Sequence, residues 1–237
     1  MRVINKEKQI LLVASVSCAD LYNLSADIPL VEEAGIDLLH FDVVDGHFND
    51  CIVLGTPTLQ ALRPHTDLPI EVHLGVERPT SLIPQFAKAG ADYIAVHYEV
   101  LKDPVAVFDQ IRSEGARPIL AFRPETRIDA KASELLNEVD WVLKLTVNPG
   151  YSGQPIQPSA VDEIRRIHEA ILKSESSARI QADGNINTST IPSVVAAGAT
   201  MLTGGTSGLF LKDRSISESA EAMLKAARGA LSRRLTP

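Results

Sequence analysis

The chain has 237 residues, a length that suits one large domain or two small ones. Acidic residues outnumber basic ones, 30 against 23, and no basic run appears, which argues against a nucleic-acid surface. No apolar stretch approaches the roughly 20 residues of a membrane span, and the N-terminus lacks the apolar core of a secretion signal, so we expect a cytoplasmic protein without a nucleic-acid or membrane partner.

Eight short apolar runs recur along the chain, and each has the near-continuous hydrophobicity of a parallel strand covered on both faces. In chain order they are residues 11–16, 37–42, 69–74, 93–98, 118–122, 141–147, 178–183 and 201–205. Amphipathic segments lie between them. Two segments have clear start signals: a helix over residues 159–172 with Ser159 as its N-cap, and a last helix from about residue 216 to 231 with Ser215 and Glu218 as a capping box.

This alternation predicts the fold. Eight strands that alternate with helices in 237 residues favour a (β/α)8 barrel. We expect one such domain over residues 1–237, with residues 1–10 as a short N-terminal extension. A doubly wound sheet is the alternative, but it would lose two strands to an edge, and no dinucleotide-binding glycine pattern follows the first strand.

Polar side chains interrupt three of the apolar strands near their C-terminal ends. His40 and Asp42 close the second predicted strand, His73 nearly closes the third and Asp183 closes the seventh. Residues i and i+2 of a strand face the same side, so His40 and Asp42 point the same way. The active site of a (β/α)8 barrel lies at this end of the strands. Two histidines and two carboxylates there suit a divalent ion such as Zn²⁺, Fe²⁺, Mn²⁺ or Co²⁺.

Each of these residues also has a plainer interpretation. A single histidine in an apolar strand is usually a hydrogen-bonded core residue, and His97 of the fourth strand fits that description. An aspartate before a glycine, as at Asp183, usually marks a turn. Four such residues at the same end of the barrel favour a metal site over these plainer interpretations.

Glycine-rich loops follow the last three predicted strands. They are NPGYSGQP at residues 148–155, DGN at 183–185 and GGTSG at 204–208. Glycine lets backbone N–H groups turn toward an anion, and barrels often bind phosphate at the loops after strands seven and eight. Tight turns alone would explain any one of these loops, but three in succession indicate a phosphate site.

Together, the metal and phosphate sites imply a phosphorylated small molecule whose reacting end meets the metal. Two carboxylates across that metal suggest proton transfer beside a carbonyl group. The metal polarises the carbonyl oxygen and holds the enediolate, while one aspartate removes a proton from one face and the other returns it to the opposite face. The expected result is inversion of a carbinol carbon.

At these residues the sequence resembles the ribulose-phosphate 3-epimerase family. The resemblance runs from about residue 11 to the last helix, and its motifs come in the family's order and spacing. They are SVSCADL, EEAGIDLLHFDVVDGHF, EVHLGVERP, AKAGADYIAVHYE, LTVNPGYSGQPIQP, ADGNIN and GGTSGLF. The resemblance implies an isomerase of carbohydrate metabolism that carries one divalent ion per chain.

Residue by residue, the resemblance implies His40, Asp42, His73 and Asp183 as metal ligands. It also implies that Asp42 is the proton acceptor and Asp183 the proton donor. The residues that match the family's substrate and phosphate contacts are Ser15, His73, Gly150, Tyr151, Ser152, Gly153, Gly184, Asn185, Gly205, Thr206 and Ser207.

Departures from the family pattern bear on the substrate. Val44, Gly75 and Leu145 stand where the family usually has methionines, and Asn185 replaces the second glycine of a DGG motif. Because glycine is much smaller than methionine, Gly75 predicts more room in the substrate pocket. Since GGTSGLF and SCADL are more similar to the allulose-6-phosphate 3-epimerase branch, we expect a six-carbon ketose phosphate to be preferred over ribulose 5-phosphate.

Two other functions stay open. The missing methionines would suit a sugar-phosphate-binding protein that has lost turnover. A related sugar-phosphate lyase or decarboxylase would need a lysine near the metal, and Lys144 lies on the sixth predicted strand. By analogy with similar barrels we also expect a homo-oligomer.

Overall fold

The computed structural model describes residues 1–148 and 153–235. Eight parallel strands follow one another around a closed barrel, and β8 pairs with β1. The strands are β1 (Leu11–Ser15), β2 (Leu38–Val44), β3 (Ile70–Gly75), β4 (Tyr93–His97), β5 (Arg117–Phe122), β6 (Trp141–Leu145), β7 (Arg179–Ile186) and β8 (Met201–Gly204). This closure confirms the predicted (β/α)8, or TIM, barrel and excludes the doubly wound sheet.

Helices on the outside connect consecutive strands. They are α1 (Leu24–Glu33), α2 (Thr56–Leu62), α3 (Ile83–Ala89), α4 (Pro104–Ser113), α5 (Ala130–Glu134), α6 (Pro158–Lys173), α7 (Ile191–Ala197) and α8 (Ile216–Leu235). Their apolar faces form a continuous core with the outward-facing strand residues. None of the described helices is long and apolar enough to cross a membrane.

The structure corrects one predicted helix start and confirms another. The N-cap of α6 is Gln157, so Ser159 is the second helical residue rather than the cap. Pro158 explains the difference, because its fixed φ favours the first position of a helix, where its missing N–H is not needed. At α8 the capping box forms as predicted: the Ser215 amide donates to Glu218 Oε2 at 2.8 Å, and the Glu218 amide donates to Ser215 Oγ at 3.2 Å.

The barrel interior has an apolar half near the N-terminal ends of the strands and a polar half near their C-terminal ends. The buried apolar cluster inside the barrel is formed by Ile4, Leu11, Val13, Leu38, Tyr93, Ala95, Ile119, Ala121, Trp141, Leu143 and Met201. Ile4 belongs to the N-terminal segment, and its amide donates to the Tyr93 hydroxyl at 3.2 Å. The interior is therefore closed by hydrocarbon at one end, and its polar groups can be reached from the other.

Two strands continue two or three residues past their predicted C-terminal ends. In β2, Val43 and Val44 continue the ladder with Leu74 and Gly75 of β3, so His40 and Asp42 lie within the strand and not at its end. The β-branched valines suit this added pair of strand positions. Strand β7 likewise continues past Asp183 to Ile186, with an irregular register at this point, so the Asp-Gly pair forms a bulge instead of a turn.

Candidate active site

Four side chains from three strands converge at the polar end of the barrel. They are His40 and Asp42 of β2, His73 of β3 and Asp183 of β7. Each offers one ligand atom, and these atoms all lie within 4.8 Å of one another. Adjacent strands bring three of them together, since Asp42 is paired with His73 in the β2–β3 ladder, and Asp183 reaches them from β7. The four residues expected to bind a metal are therefore neighbours in space, and they could hold one ion.

Asp42 is the most heavily contacted member of this cluster. Its Oδ1 lies 2.9 Å from His40 Nε2 and 3.0 Å from His73 Nδ1. Its Oδ2 accepts hydrogen bonds from Ser17 Oγ at 2.9 Å and Ser15 Oγ at 3.2 Å. Burial opposes ionisation, but the two histidines hold the pKa of Asp42 well below its usual value. Asp42 is therefore stabilised as a carboxylate.

Asp183 faces the same space with fewer partners. Its Oδ2 is 3.6 Å from His40 Nε2, beyond normal hydrogen-bonding distance. Burial, reinforced by the negative charge of Asp42 and opposed by His40, raises the pKa of Asp183 to about 6. The two carboxyl groups thus have opposite tendencies: without a metal, Asp42 stays ionised and Asp183 takes up a proton more readily.

His40 is held from behind by a buried carboxylate. Its Nδ1 lies 2.7 Å from Glu71 Oε2. Glu71 is fully buried and also accepts hydrogen bonds from Trp141 Nε1 at 3.2 Å and Gln181 Nε2 at 2.8 Å. Burial alone would lower the pKa of His40, but Asp42 and Glu71 raise it well above its usual value.

His73 is held from behind by a second histidine. Its Nε2 lies 2.8 Å from His97 Nε2, and His97 Nδ1 lies 3.0 Å from Glu99 Oε2. Burial lowers the pKa of His97 to about 4. Although burial favours the protonated acid, the hydrogen bond from His97 lowers the pKa of Glu99 to about 2. His97 is therefore a neutral core histidine, as its position in an apolar strand suggests.

The donor set fits a divalent cation. Without a metal, His40 has a pKa well above its usual value, so it holds a proton on each ring nitrogen, with Nδ1 donating to Glu71 and Nε2 donating to Asp42 Oδ1 at 2.9 Å. A metal ion among the ligand atoms would take the place of the Nε2 proton. Two imidazole nitrogens and two carboxylates are ligands that Zn²⁺ and similar transition-metal ions accept.

A cavity of about 270 Å³ opens above the four-residue cluster. Of the expected site residues, its walls include Ser15, Asp42, His73, Gly153, Asp183, Gly184, Asn185, Gly205, Thr206 and Ser207. His40 is fully buried behind this wall. Gly150, Tyr151 and Ser152, which were also expected to contact substrate, lie outside the described residues. Within the described chain, the bulge residues of β7 and the loop after β8 therefore line the same cavity, as a phosphate site requires.

The bulge in β7 shapes this cavity. Gly184 has a φ of +112°, and a Cβ at this position would lie 2.5 Å from Val147 Cγ2, so only glycine fits. Asn185 follows with a φ of +52°. Asparagine is among the non-glycine residues that adopt this left-handed conformation most readily, which explains how it replaces a glycine of the family pattern.

The position of Gly75 does not leave the open space that the sequence suggested. A Cβ there would lie 3.5 Å from Phe48 Cδ1 and 3.6 Å from Val44 Cγ2. The Phe48 ring, from the loop after β2, packs on His97 with ring centroids 4.5 Å apart. Arg123 covers the other side, with Cζ 3.8 Å from the Phe48 ring centroid. The predicted extra room at Gly75 is therefore occupied.

Lys144 faces away from the cavity. It is fully buried, and its Nζ donates to the carbonyl oxygens of Arg123 at 2.5 Å and Thr126 at 2.8 Å. Its strand neighbours Leu143 and Leu145 point inward, the first into the interior cluster and the second into the cavity wall. The lysine is thus buried outside the barrel interior and is not part of the site.

Comparison with known proteins identifies the family. Residues 11–210 match the model of the ribulose-phosphate 3-epimerase family. The ribulose-phosphate 3-epimerase of Methanocaldococcus jannaschii is 39% identical over 200 residues, which cover 84% of both chains. The enzyme of that name from Bacillus subtilis is 37% identical over 201 residues, 84% of this chain and 92% of that one.

The chain belongs to the ribulose-phosphate 3-epimerase family. It is a carbohydrate isomerase that acts as a sugar-phosphate 3-epimerase. Among solved structures, 3-hexulose-6-phosphate synthase from Salmonella typhimurium has a TM-score of 0.65 at 16% identity, covering 93% of this chain and 100% of that chain. At that identity the likeness concerns the TIM-barrel fold alone.

The sequence alone did not predict several residues that surround His40, Asp42, His73 and Asp183. Ser17 contacts Asp42, and the Glu71 and Glu99 carboxylates support the two histidines. Glu71 had a detectable signal, because a glutamate two residues before His73 in an apolar strand must share its inward face. Nothing in the sequence predicted the position of Phe48, because it lies in a loop whose conformation follows no regular spacing of residues.

Proposed function

We propose that the protein is a metal-dependent 3-epimerase of a ketose phosphate that works by two-base proton transfer. The observation that carries this proposal is the joint position of the Asp42 and Asp183 carboxyl groups at a glycine-lined cavity. Without a metal, their pKa values also shift in opposite directions. Groups with pKa values that are pushed apart are suited to act as base and acid in one reaction.

In this proposal His40, Asp42, His73 and Asp183 hold one divalent ion. Such an ion, when bound, supplies positive charge that stabilises the negative charge developing on substrate oxygens as a proton leaves the neighbouring carbon. The ion is one of Zn²⁺, Fe²⁺, Mn²⁺ or Co²⁺, because the mixed nitrogen and oxygen ligands suit all four.

The chain's own carboxyl groups move the proton. Asp42, which is stabilised as a carboxylate, accepts the proton from C3 on one face of the sugar. Asp183, which binds a proton more readily, donates one to the opposite face. Ser15 and Ser17 donate to Asp42 Oδ2 and so hold its carboxylate in position while it acts. In the reverse direction the roles of the two aspartates are exchanged.

The far end of the cavity would bind the phosphate. Gly184 and Asn185 of the bulge, and Gly205, Thr206 and Ser207 after β8, line the cavity. Backbone N–H groups of such glycine-containing loops can surround an anion without a charged side chain. Gly150 to Gly153 would add to this contact, as the family resemblance implies.

The substrate is either ribulose 5-phosphate, epimerised to xylulose 5-phosphate, or allulose 6-phosphate, epimerised to fructose 6-phosphate. The relatives described above are named ribulose-phosphate 3-epimerases, which favours the pentose. The GGTSGLF loop favours the hexulose, but the argument from empty space at Gly75 loses its basis because Phe48 fills that space. We therefore place ribulose 5-phosphate first and keep allulose 6-phosphate as the alternative.

The orientation of Lys144 disfavours a lyase or decarboxylase that uses it, since its Nζ is bound to two carbonyl oxygens outside the barrel interior. The intact carboxylate pair disfavours a binding protein without turnover. We expect the enzyme to act in the cytoplasm as a homo-oligomer, and light scattering of the purified protein measures the latter directly.

The test is an assay of metal-loaded protein against both ketose phosphates, followed by NMR. We expect epimerisation at C3, with the two kcat/KM values differing by about 10–200-fold, the range typical of one carbon unit in a fitted pocket. Higher kcat/KM for allulose 6-phosphate would reverse the order of the two substrates. No epimerisation of either sugar would contradict the proposed function.

A further inference from the structure

We propose that His97 and Glu99 are positioning residues that fix the proton of His73 on Nε2 and thereby keep Nδ1 free to bind the metal. This inference rests on the proposed function, because it assigns a task to the groups behind one of its metal ligands. It follows from three contacts in a row: Asp42 to His73, His73 to His97, and His97 to Glu99.

Glu99 determines which atom donates and which accepts in this row of hydrogen bonds. Glu99 Oε1 accepts from the Arg123 amide at 2.7 Å, and Glu99 Oε2 lies 3.0 Å from His97 Nδ1. A carboxylate only accepts hydrogen bonds, so His97 carries its proton on Nδ1. The Nε2 of a neutral His97 is then an acceptor.

The same logic determines the state of His73. The two Nε2 atoms of His73 and His97 lie 2.8 Å apart, so one of them must donate. Since His97 Nε2 accepts, His73 Nε2 donates. The remaining nitrogen of His73, Nδ1, faces Asp42 Oδ1, 3.0 Å away, where the metal ligands converge, and in a neutral His73 it is the nitrogen that offers a lone pair. Orientation of a metal-binding histidine by a hydrogen bond at its other nitrogen is a general feature of metal sites.

The surroundings keep these groups in place. Phe48 packs against the His97 ring, and the Arg123 guanidinium lies over Phe48 and donates from Nη2 to the Phe48 carbonyl oxygen at 2.7 Å. Arg123 thus fixes Glu99 through its backbone and Phe48 through its side chain. The His97 ring is enclosed and has little freedom to turn and exchange its two nitrogens.

Glu99→Gln is the sharpest test, because it changes one oxygen into an NH2 group with almost no change of shape. The Arg123 amide can only donate, so the remaining oxygen of the substituted side chain must stay on it, and the NH2 group then faces His97 Nδ1. His97 must move its proton to Nε2, which forces His73 to accept at Nε2 and carry its proton on Nδ1. That proton blocks the metal-binding nitrogen.

The experiment uses the full chain and two readouts besides activity. Long-range ¹H–¹⁵N NMR of the metal-free protein identifies which nitrogen of His73 carries the proton, and calorimetry with Zn²⁺ gives the metal affinity. We expect Nε2–H in the wild type and Nδ1–H in Glu99→Gln, with zinc affinity about 10–100-fold weaker in the variant. Glu99→Asp, which keeps a carboxylate, should retain the wild-type proton position. Glu114→Gln, at an exposed position directly after α4, controls for the lost charge.

The outcomes separate this inference from the proposed function. An unchanged His73 proton position and unchanged zinc affinity in Glu99→Gln, in an active wild-type enzyme, would overturn the positioning role and leave the epimerase proposal intact. If the wild type binds no zinc, the metal-dependent mechanism fails, while the NMR readout still decides the proton position. Should Glu99→Gln not fold, His97→Phe removes the acceptor instead, and the same shift of the His73 proton to Nδ1 is expected.

Discussion

Asp42 and Asp183 are chemically identical side chains that differ in what surrounds them. Asp42 receives hydrogen bonds from two serines and faces two histidines, whereas Asp183 lies 3.6 Å from the nearest histidine nitrogen. Without a metal, these surroundings shift their pKa values in opposite directions. At the scale of single residues, this asymmetry supports the proposed two-base chemistry.

The first prediction concerns these two carboxyl groups. Asp42→Asn and Asp183→Asn should each reduce epimerisation by at least about 10²–10⁴-fold, because each removes the acid or base on one face. In Asp183→Asn the base on the other face survives, so the starting sugar should still exchange its C3 proton with D₂O without changing configuration. NMR in D₂O measures both reactions, and the metal content of each variant must be determined alongside.

Asp213→Asn, an exposed aspartate far along the chain, is the matched control and should behave as wild type. Near-normal turnover in either active-site variant that retains its metal would show that the two-base assignment is wrong.

The residues of the site were partly predictable from the sequence. The i, i+2 spacing of His40 and Asp42, and the polar residues in strands β3 and β7, predicted which side chains meet inside a barrel. Spacing along one strand does not give the register between two strands, so the pairing of His40 with Glu71 of the neighbouring strand required the structure. Phe48 reaches Gly75 from a loop, and for that reason the predicted space beside Gly75 was wrong.

At the scale of elements, the bulge in β7 determines where Asp183 points. Gly184 and Asn185 both have positive φ values, and they separate Asp183 from Ile186 in the ladder with β8. The sequence motif predicted a special backbone here but suggested a turn. It could not show that the strand resumes after two residues, because that depends on pairing with a distant strand.

The second prediction tests this bulge. Gly184→Ala should lower the free energy of unfolding by about 1–3 kcal/mol, since alanine is strained at this φ and its Cβ would meet Val147. Turnover should fall as well, because Asp183 is displaced. Asn185→Gly, at the neighbouring position, should keep both stability and turnover near wild type. Urea denaturation and initial rates check this, and a fully stable, active Gly184→Ala protein would disprove the role of the bulge.

The third prediction concerns Lys144, which joins β6 to the loop after β5. Burial lowers the pKa of Lys144 to about 8, below its value of 10.5 in an unfolded chain. The cost of burying its charge is therefore present below about pH 8 and disappears as the pH rises toward 10.5. Wild-type stability should consequently increase relative to Lys144→Met between pH 7 and 10, by up to about 3 kcal/mol.

Denaturation curves across this pH range measure that difference, and Lys173→Met, at the exposed end of α6, controls for the loss of a lysine. A difference between wild type and Lys144→Met that stays constant from pH 7 to 10 would contradict the assigned pKa shift.

At the scale of the whole molecule, the closed barrel places its apolar interior and its candidate active site at opposite ends. Its N-terminal half is closed by hydrocarbon, including Ile4 from the N-terminal segment, while its C-terminal half carries the polar cluster. The order of strands and helices was predictable because each strand is apolar throughout and each helix is amphipathic. Closure between β1 and β8 could only be inferred from the number of strands, since no local pattern encodes it.

The central claim is that epimerisation depends on a divalent ion held by His40, Asp42, His73 and Asp183. The most direct measurement is epimerisation by protein stripped of metal with a chelator and verified by elemental analysis, with the ketose phosphate followed by NMR. We predict that turnover is lost and that one equivalent of divalent ion per chain restores it, because charge developing on the substrate oxygens is otherwise unstabilised. Full turnover by verified metal-free protein would contradict the account.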